Sequence, residues 1–153
     1  MTTTDIPVVS VNKFLMGGNL FTVRVSAEQT NNAIFVADFQ AIPGSEPFRH
    51  VHTREDEIFI IKEGAATFFI GDEIITARVG DVVYLPVNVP HHFKITSAIA
   101  KGILIATPGN IENFFRELSV PFDGNEIPAI ATPTTDQVQY MLTVAESYGM
   151  EQA

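Results

Sequence analysis

The sequence predicts an all-β protein: a small antiparallel β-barrel with two helices packed on its outside near the C-terminus. Short strand-like segments recur at near-regular spacing from about residue 20 to residue 107. Gly, Pro or Asn separates most of these segments. A convincing helical period appears only after residue 108. We therefore expect one domain over residues 1–153, with the barrel at about 20–107 and a helical tail at 108–153.

The predicted strands alternate apolar and polar side chains, as a strand with one buried face requires. In the clearest one, residues 20–27, Phe21, Val23 and Val25 share a face. Val8, Val9 and Val11 predict a short strand before it. The remaining predicted strands are 33–41, 48–53, 56–62, 66–70, 73–78, 81–85, 91–96 and 98–106.

The tail predicts two amphipathic helices separated by the Pro-rich loop 119–133. The first helix carries an apolar stripe at helical spacing, and Asn110 is its expected N-cap. Its Phe114 and Phe115 either cap one end of the barrel or simply attach the helix, and attachment is favoured. The second begins with a capping-box pair and ends near Gly149, which would serve as its C-cap. The stripe is Ile111, Phe114, Phe115 and Leu118, and the capping-box pair is Thr134 and Gln137.

Composition excludes several classes of protein. Eighteen acidic residues against nine basic ones give a net charge of −9, which disfavours nucleic acid and anionic membranes as partners. The absence of Cys excludes disulfides, thiolate metal sites and thiol nucleophiles. Neither a secretory signal nor a membrane-spanning apolar stretch is present, so a cytoplasmic protein is expected.

The stretch from Gly44 to Gly64 carries the strongest chemical signal. His50 and His52 are two residues apart, so they share a face if the segment is a strand. If Glu57 begins a neighbouring strand, two imidazoles and one carboxylate converge on one point, as in a transition-metal site. The alternative is a half-exposed polar face, with Glu57 solvated like Glu55 and Asp56.

The other two histidines are adjacent, so alternation lets only one of them face the interior. If that residue is His91, the inward set becomes His50, His52, Glu57 and His91, which suits Fe, Mn, Ni, Cu or Zn. His92 is then exposed or structural. A site of this kind leaves coordination positions for water or substrate, and is therefore catalytic in type.

Two motifs resemble those of the cupin family. Gly44, His50, His52, Glu57 and Gly64 meet every fixed position of G-x5-H-x-H-x4-E-x6-G. In the second motif, G-x5-P-x-G-x2-H-x3-N, the matching residues are Gly80, Pro86 and His91, while Asn88 replaces Gly and Ile95 replaces Asn. The match covers about residues 40–107, and the helical tail resembles that of single-domain cupins similar to quercetin 2,3-dioxygenase.

This resemblance implies a jelly-roll topology, with one divalent first-row metal held by His50, His52, Glu57 and His91. It also implies a homodimer in which N-terminal strands extend the partner's sheet, for which open sheet edges give a physical motive.

Alternation predicts which side chains surround the metal. The expected substrate pocket consists of Phe48, Phe59, Ile61 and Phe93. Such an apolar, aromatic wall suits a flat or hydrophobic small molecule. The same residues would equally serve as an ordinary barrel core.

Three functions follow from these observations. The favoured one is a metal-dependent dioxygenase similar to quercetin dioxygenase, in which Glu57, with a pKa raised by the apolar wall, takes a proton from a substrate hydroxyl. The second is a metal-dependent isomerase, epimerase or decarboxylase for a small polar substrate, which needs inward-facing cations. The third is a non-enzymatic small-molecule-binding cupin.

Overall fold

A computed structural model describes residues 12–153, within which the chain forms twelve strands and two helices. The predicted strand at Val8, Val9 and Val11 lies outside the described residues. The strands are β1 (Lys13–Met16), β2 (Asn19–Val25), β3 (Phe35–Ala41), β4 (His50–His52), β5 (Asp56–Glu63), β6 (Ala66–Ile70), β7 (Glu73–Ala77), β8 (Val82–Leu85), β9 (His91–Ile95), β10 (Ala100–Thr107), β11 (Val120–Pro121) and β12 (Met150–Gln152). The helices are α1 (Ile111–Glu117) and α2 (Thr135–Ser147).

The strands of residues 12–153 form two antiparallel sheets. One has seven strands in the order β11-β1-β2-β3-β10-β5-β8, and the other has five in the order β12-β4-β9-β6-β7. From β3 to β10 the chain changes sheet at every connection except the β6–β7 hairpin, six times in all, as in a jelly roll. The predicted antiparallel β fold is therefore confirmed, as two sheets in jelly-roll arrangement.

Aromatic side chains fill much of the space between the sheets. Strand β5 alternates as predicted, with Glu57, Phe59 and Ile61 buried and the residues between them partly exposed. The ring of Phe59 lies 5.4 Å from that of Phe68 on β6 and 5.6 Å from that of Phe93 on β9. The two sheets thus share one core, and β5 crosses it beside the histidine strands.

The predicted strand boundaries agree with the structure to within one or two residues in most places. The main difference is the predicted strand 48–53, which is reduced to His50–His52. Strands β1, β11 and β12 were not predicted. Each has four residues or fewer, and β12 exists because it pairs with the free edge of β4.

Helix α1 attaches to the seven-stranded sheet through its aromatic residues. Phe115 stacks on Phe21 with the ring centroids 4.7 Å apart. The expected side-chain cap at Asn110 is wrong, since this residue has helical backbone angles and its Oδ1 accepts a hydrogen bond from Asn113 Nδ2. The helix is instead tied to the β2–β3 loop by buried Glu112, whose Oε2 accepts a hydrogen bond from the Ala27 N–H at 2.6 Å.

Helix α2 begins with the predicted capping box. Thr134 Oγ1 accepts from the Gln137 N–H at 3.2 Å, and Gln137 Oε1 accepts from the Thr134 N–H at 2.9 Å. Gly149 follows the helix with φ +79°, and the chain there turns into β12. Neither helix of residues 12–153 is long and apolar enough to cross a membrane.

Candidate metal centre

Two consecutive strands bring the first three candidate ligands together. Strand β4 places His50 and His52 on one face because side chains two residues apart point the same way. The chain turns through residues 53–55 and enters the facing sheet as β5, in which Glu57 is the second residue. Glu57 therefore reaches the two histidines from across the core.

Strand β9 supplies the third histidine. Strands β4 and β9 are antiparallel neighbours, and His50 lies directly opposite His91. His91 is buried with 1% of its surface exposed. His92 lies on the other face, where its ring stacks on Phe69 at 4.5 Å. The structure thus places His91, and not His92, beside the other candidate ligands.

The two departures from the second cupin motif are both accommodated. Asn88 has φ +64°, the left-handed conformation that Asn adopts more readily than most residues. Its N–H donates to the His52 carbonyl at 2.8 Å, which joins the loop before β9 to the histidine strand. Ile95 is buried in the hydrophobic core. Its position is therefore a packing position in this chain.

Three imidazole nitrogens cluster between the sheets, and a carboxylate oxygen lies beside two of them. His50 Nε2 lies 2.9 Å from His52 Nε2. Glu57 Oε2 lies 3.3 Å from His52 Nε2 and 3.5 Å from His91 Nε2. The donor atoms of the three histidines all lie within 4.8 Å of one another, a cluster that could hold a metal ion.

Backbone carbonyl groups fix the orientation of two of the imidazoles. His50 Nδ1 lies 2.7 Å from the Phe48 carbonyl oxygen, and His91 Nδ1 lies 3.0 Å from the Val89 carbonyl oxygen. Because a carbonyl oxygen only accepts hydrogen bonds, the Nδ1 atom of each ring carries the hydrogen. Each Nε2 therefore presents its lone pair to the centre, as a metal ligand must.

The third imidazole is held by a residue that the sequence did not single out. His52 Nδ1 lies 3.3 Å from Glu55 Oε2, and both side chains are almost completely buried. Glu55 was expected to be solvated. Alternation could have found it, because Glu55, Glu57, Phe59 and Ile61 continue one inward face.

The donor atoms themselves fit a metal ion. His91 Nε2 is a buried polar atom without a hydrogen-bond partner among the described residues. The Nε2 atoms of His50 and His52 lie 2.9 Å apart, and in the neutral rings oriented by their Nδ1 contacts both Nε2 atoms carry a lone pair. If both nitrogens bound one ion at about 2.1 Å and at right angles, they would lie about 3 Å apart. The observed separation of 2.9 Å agrees with this distance. Three imidazoles and a carboxylate suit a divalent first-row transition metal.

The electrostatics of the cluster keep its ligands in distinct protonation states. Burial, with the neighbouring His52 and His91, lowers the pKa of His50 to about 4. Burial also acts to lower the pKa of His52, but Glu57 and Glu55 outweigh it and raise that pKa. For Glu57, burial acts to raise the pKa, yet His52 and His91 lower it to about 2. The expectation of a raised Glu57 pKa is therefore wrong, because the imidazoles outweigh the apolar wall.

The residues predicted to form the pocket divide into two groups. Phe59 and Ile61 are buried, and Phe93 is partly buried against Phe59. Phe48 is 60% exposed and does not line the interior. The prediction for Phe48 is wrong because this residue precedes β4 in irregular chain, where strand alternation counted back from His50 no longer applies.

Sequence comparison gives a match to one domain family and to one curated relative. The cupin domain profile matches residues 38–105. Quercetin 2,3-dioxygenase of Bacillus subtilis (strain 168) is 26% identical over 117 residues, which cover 76% of this chain. The chain spans about a third of the length of that relative, 35%.

Two solved structures share the fold. A protein from Thermotoga maritima, described as a predicted oxalate decarboxylase, is 19% identical with a TM-score of 0.57, over 65% of this chain and 94% of that one. A variant of oxalate decarboxylase from Bacillus subtilis is 23% identical with a TM-score of 0.57, over 68% of this chain and 29% of that one. At such identities the likeness is one of fold. The domain match, the jelly roll and the motif residues gathered at one point identify residues 38–105 of this chain as a cupin domain.

Proposed function

We propose that this chain is a metal-dependent cupin dioxygenase that acts on a small apolar or aromatic, flavonol-like substrate. The observation that carries the proposal is the convergence of three Nε2 lone pairs and the Glu57 carboxylate beside an aromatic core. The relative named quercetin 2,3-dioxygenase supports the reaction class.

In this proposal His50, His52, Glu57 and His91 hold one divalent first-row metal. When bound, such an ion supplies Lewis-acid activation of a substrate hydroxyl and redox chemistry with dioxygen. The protein's part is to hold the three imidazoles with Nε2 directed at the centre, and to keep bulk water away from the buried ligands.

Glu57 has two proposed roles, as a ligand and as the acceptor of the substrate hydroxyl proton. Its low pKa means that it is ionised at neutral pH and ready to bind a cation. The same low pKa makes it a weak base towards an unactivated phenol. Proton transfer to Glu57 therefore requires a hydroxyl group whose own pKa is lowered in the site.

The exposure of the ligands indicates where a substrate would approach. His52 and His91 are buried, whereas His50 on β4 and Phe93 on β9 are partly exposed. Access to the centre is therefore expected along the boundary of β4 and β9, where these two partly exposed residues lie. The Phe93 ring, which packs against Phe59 beside this boundary, favours a flat apolar substrate.

A decarboxylase or isomerase acting on a small anion is less well supported. Such a reaction calls for a cation beside the metal. The guanidinium of Arg49 instead contacts His92 Nδ1 at 3.4 Å and the Gly71 carbonyl at 2.9 Å. Lys94 is exposed on the same strand face as His92. These cations therefore lie on the outer side of the five-stranded sheet.

The ligand assignment is tested by metal analysis of purified variants. His50→Ala and His91→Ala are expected to lose most of the bound metal, because each removes a lone pair from the centre. His92→Ala is the matched control, since it changes the adjacent residue on the opposite face. Equal metal loss in all three variants would refute the assignment.

The reaction class is tested by oxygen uptake. Protein reconstituted in turn with Fe, Mn, Ni, Cu and Zn is mixed with flavonols and other enolisable phenolics. Uptake that depends on both metal and substrate is expected. Absence of uptake with every metal, in protein shown to contain the ion, would favour a binding protein or non-redox chemistry.

A further inference from the structure

Glu55 is a buried acid whose place in the fold calls for an explanation. Its side chain is 1% exposed, although it lies in the polar turn between β4 and β5. Lys, Glu, Arg and Asp are almost never fully buried unless they are paired. The partner that the structure gives Glu55 is His52, whose Nδ1 lies 3.3 Å from Glu55 Oε2.

This contact differs in kind from those of the other two candidate ligands. His50 and His91 are oriented by backbone carbonyl groups, which carry no net charge. His52 is oriented by an acid side chain. An ionised carboxylate on the far nitrogen makes the other nitrogen a stronger donor to a metal and fixes the tautomer.

The charges of the site also call for a second carboxylate. Three neutral imidazoles and Glu57 together carry one negative charge, so a divalent ion would leave the buried cluster with a net positive charge. Glu55 supplies the second negative charge within the same buried region. Because an uncompensated charge is costly in a low-dielectric interior, neutrality favours binding of the ion.

We propose that Glu55 is a positioning residue that holds the His52 Nε2 lone pair on the metal and balances the charge of a divalent ion. This inference rests on the metal site of the proposed function. It does not rest on the reaction that the site performs.

Two variants of Glu55 separate its positioning of His52 from its contribution of negative charge. Glu55→Gln keeps an oxygen that accepts from His52 Nδ1–H but removes the charge. Glu55→Ala removes both. Glu112→Gln is the matched control, because Glu112 is a buried, hydrogen-bonded carboxylate that is tied to Ala27 and Arg116.

The first measurement is metal affinity, by competition with a chelator of known affinity for Zn²⁺ or Co²⁺. Glu55→Ala is expected to weaken binding by about 10- to 100-fold. Glu55→Gln is expected to lie between Glu55→Ala and the unchanged protein, and Glu112→Gln is expected to bind as the unchanged protein does. Binding by Glu55→Ala within about twofold of the unchanged protein, in a variant with an unaltered circular dichroism spectrum, would overturn the proposal.

The second measurement is the tautomer of His52, read from ¹⁵N–¹H NMR of the imidazole rings in metal-free protein, at a pH high enough for His52 to be neutral. The Nδ1–H form is expected in the unchanged protein and in Glu55→Gln, and a mixture of tautomers in Glu55→Ala. An unchanged tautomer in Glu55→Ala would overturn the positioning role. Because this test needs no metal, failure of the metal site and failure of the Glu55 assignment give different results.

Discussion

The C-terminal strand offers the sharpest test of how the fold holds the histidine strand. Strand β12 pairs with β4, placing Met150 opposite His52. Just before it, the Gly149 carbonyl accepts hydrogen bonds from the N–H of Thr53 at 2.9 Å and from its hydroxyl at 2.6 Å. Gly149 thus joins the tail to the residue that follows His52.

The substitution Gly149→Ala should strain this junction. Gly149 has φ +79°, and a Cβ there would lie 2.7 Å from Thr53 Oγ1 and 2.8 Å from Arg54 Nε. The left-handed conformation costs a non-Gly residue about 1–2 kcal/mol. Loss of the two hydrogen bonds adds about 1 kcal/mol for each. We therefore expect Gly149→Ala to lower the free energy of unfolding by about 3–4 kcal/mol.

Gly17→Ala is the matched control. Gly17 has φ +57°, and a Cβ added there would meet no atom of the described residues within 4 Å. The substitution should therefore cost only the free energy of placing a non-Gly residue in the left-handed conformation. Urea unfolding of both variants with a chelator present measures the difference, expected to be about 2 kcal/mol. Zn²⁺ affinity should fall only in Gly149→Ala, since each 1.4 kcal/mol of strain that reaches His52 weakens binding about tenfold. Equal destabilisation of the two variants, or unchanged affinity in both, would refute the reasoning.

Two further predictions concern protons and packing. Only neutral imidazole binds a metal, and His52 has the raised pKa while His50 has a pKa of about 4. Binding near pH 6 should therefore release about one proton, mainly from His52, and affinity should rise with pH until His52 is neutral. Calorimetry in buffers of different ionisation enthalpy measures this, and release of no proton or of two would contradict it. Phe68→Ala should cost about 3–5 kcal/mol because Phe68 is buried beside Phe59, whereas Phe48→Ala should change stability by less than about 0.5 kcal/mol. Comparable losses in urea unfolding would show that Phe48 packs more tightly than its exposure indicates.

Alternation within the strands made most of the site predictable. It put Glu57, Phe59 and Ile61 on one face of β5, and it required His91 and His92 to point to opposite sides. These inferences depend only on the period of a strand, which the backbone imposes wherever a strand exists.

The same rule failed where the strand ended. Phe48 precedes β4 in irregular chain, so its side chain is exposed although the count from His50 predicted burial. Glu55 also lies outside a strand, just before β5, but there the count back from Glu57 agrees with its burial, and it was the charge of Glu55 that suggested a solvated residue. A charged residue in a turn is ordinarily solvated, and only the position of His52 supplies the partner that makes its burial favourable.

The sequence by itself determined the β class of this protein, its two helices near the C-terminus, and the positions of His50, His52, Glu57 and His91 as candidate ligands. These features could be predicted because strand period, helix period and turn residues act locally. The tertiary structure decided that β12 pairs with the edge of β4, and that Glu55 contacts His52. It also decided that the neighbouring imidazoles lower the pKa of Glu57, although burial alone would raise it. Each of these depends on groups brought together from separate strands or from a turn between them, and local patterns in the chain do not specify those distances.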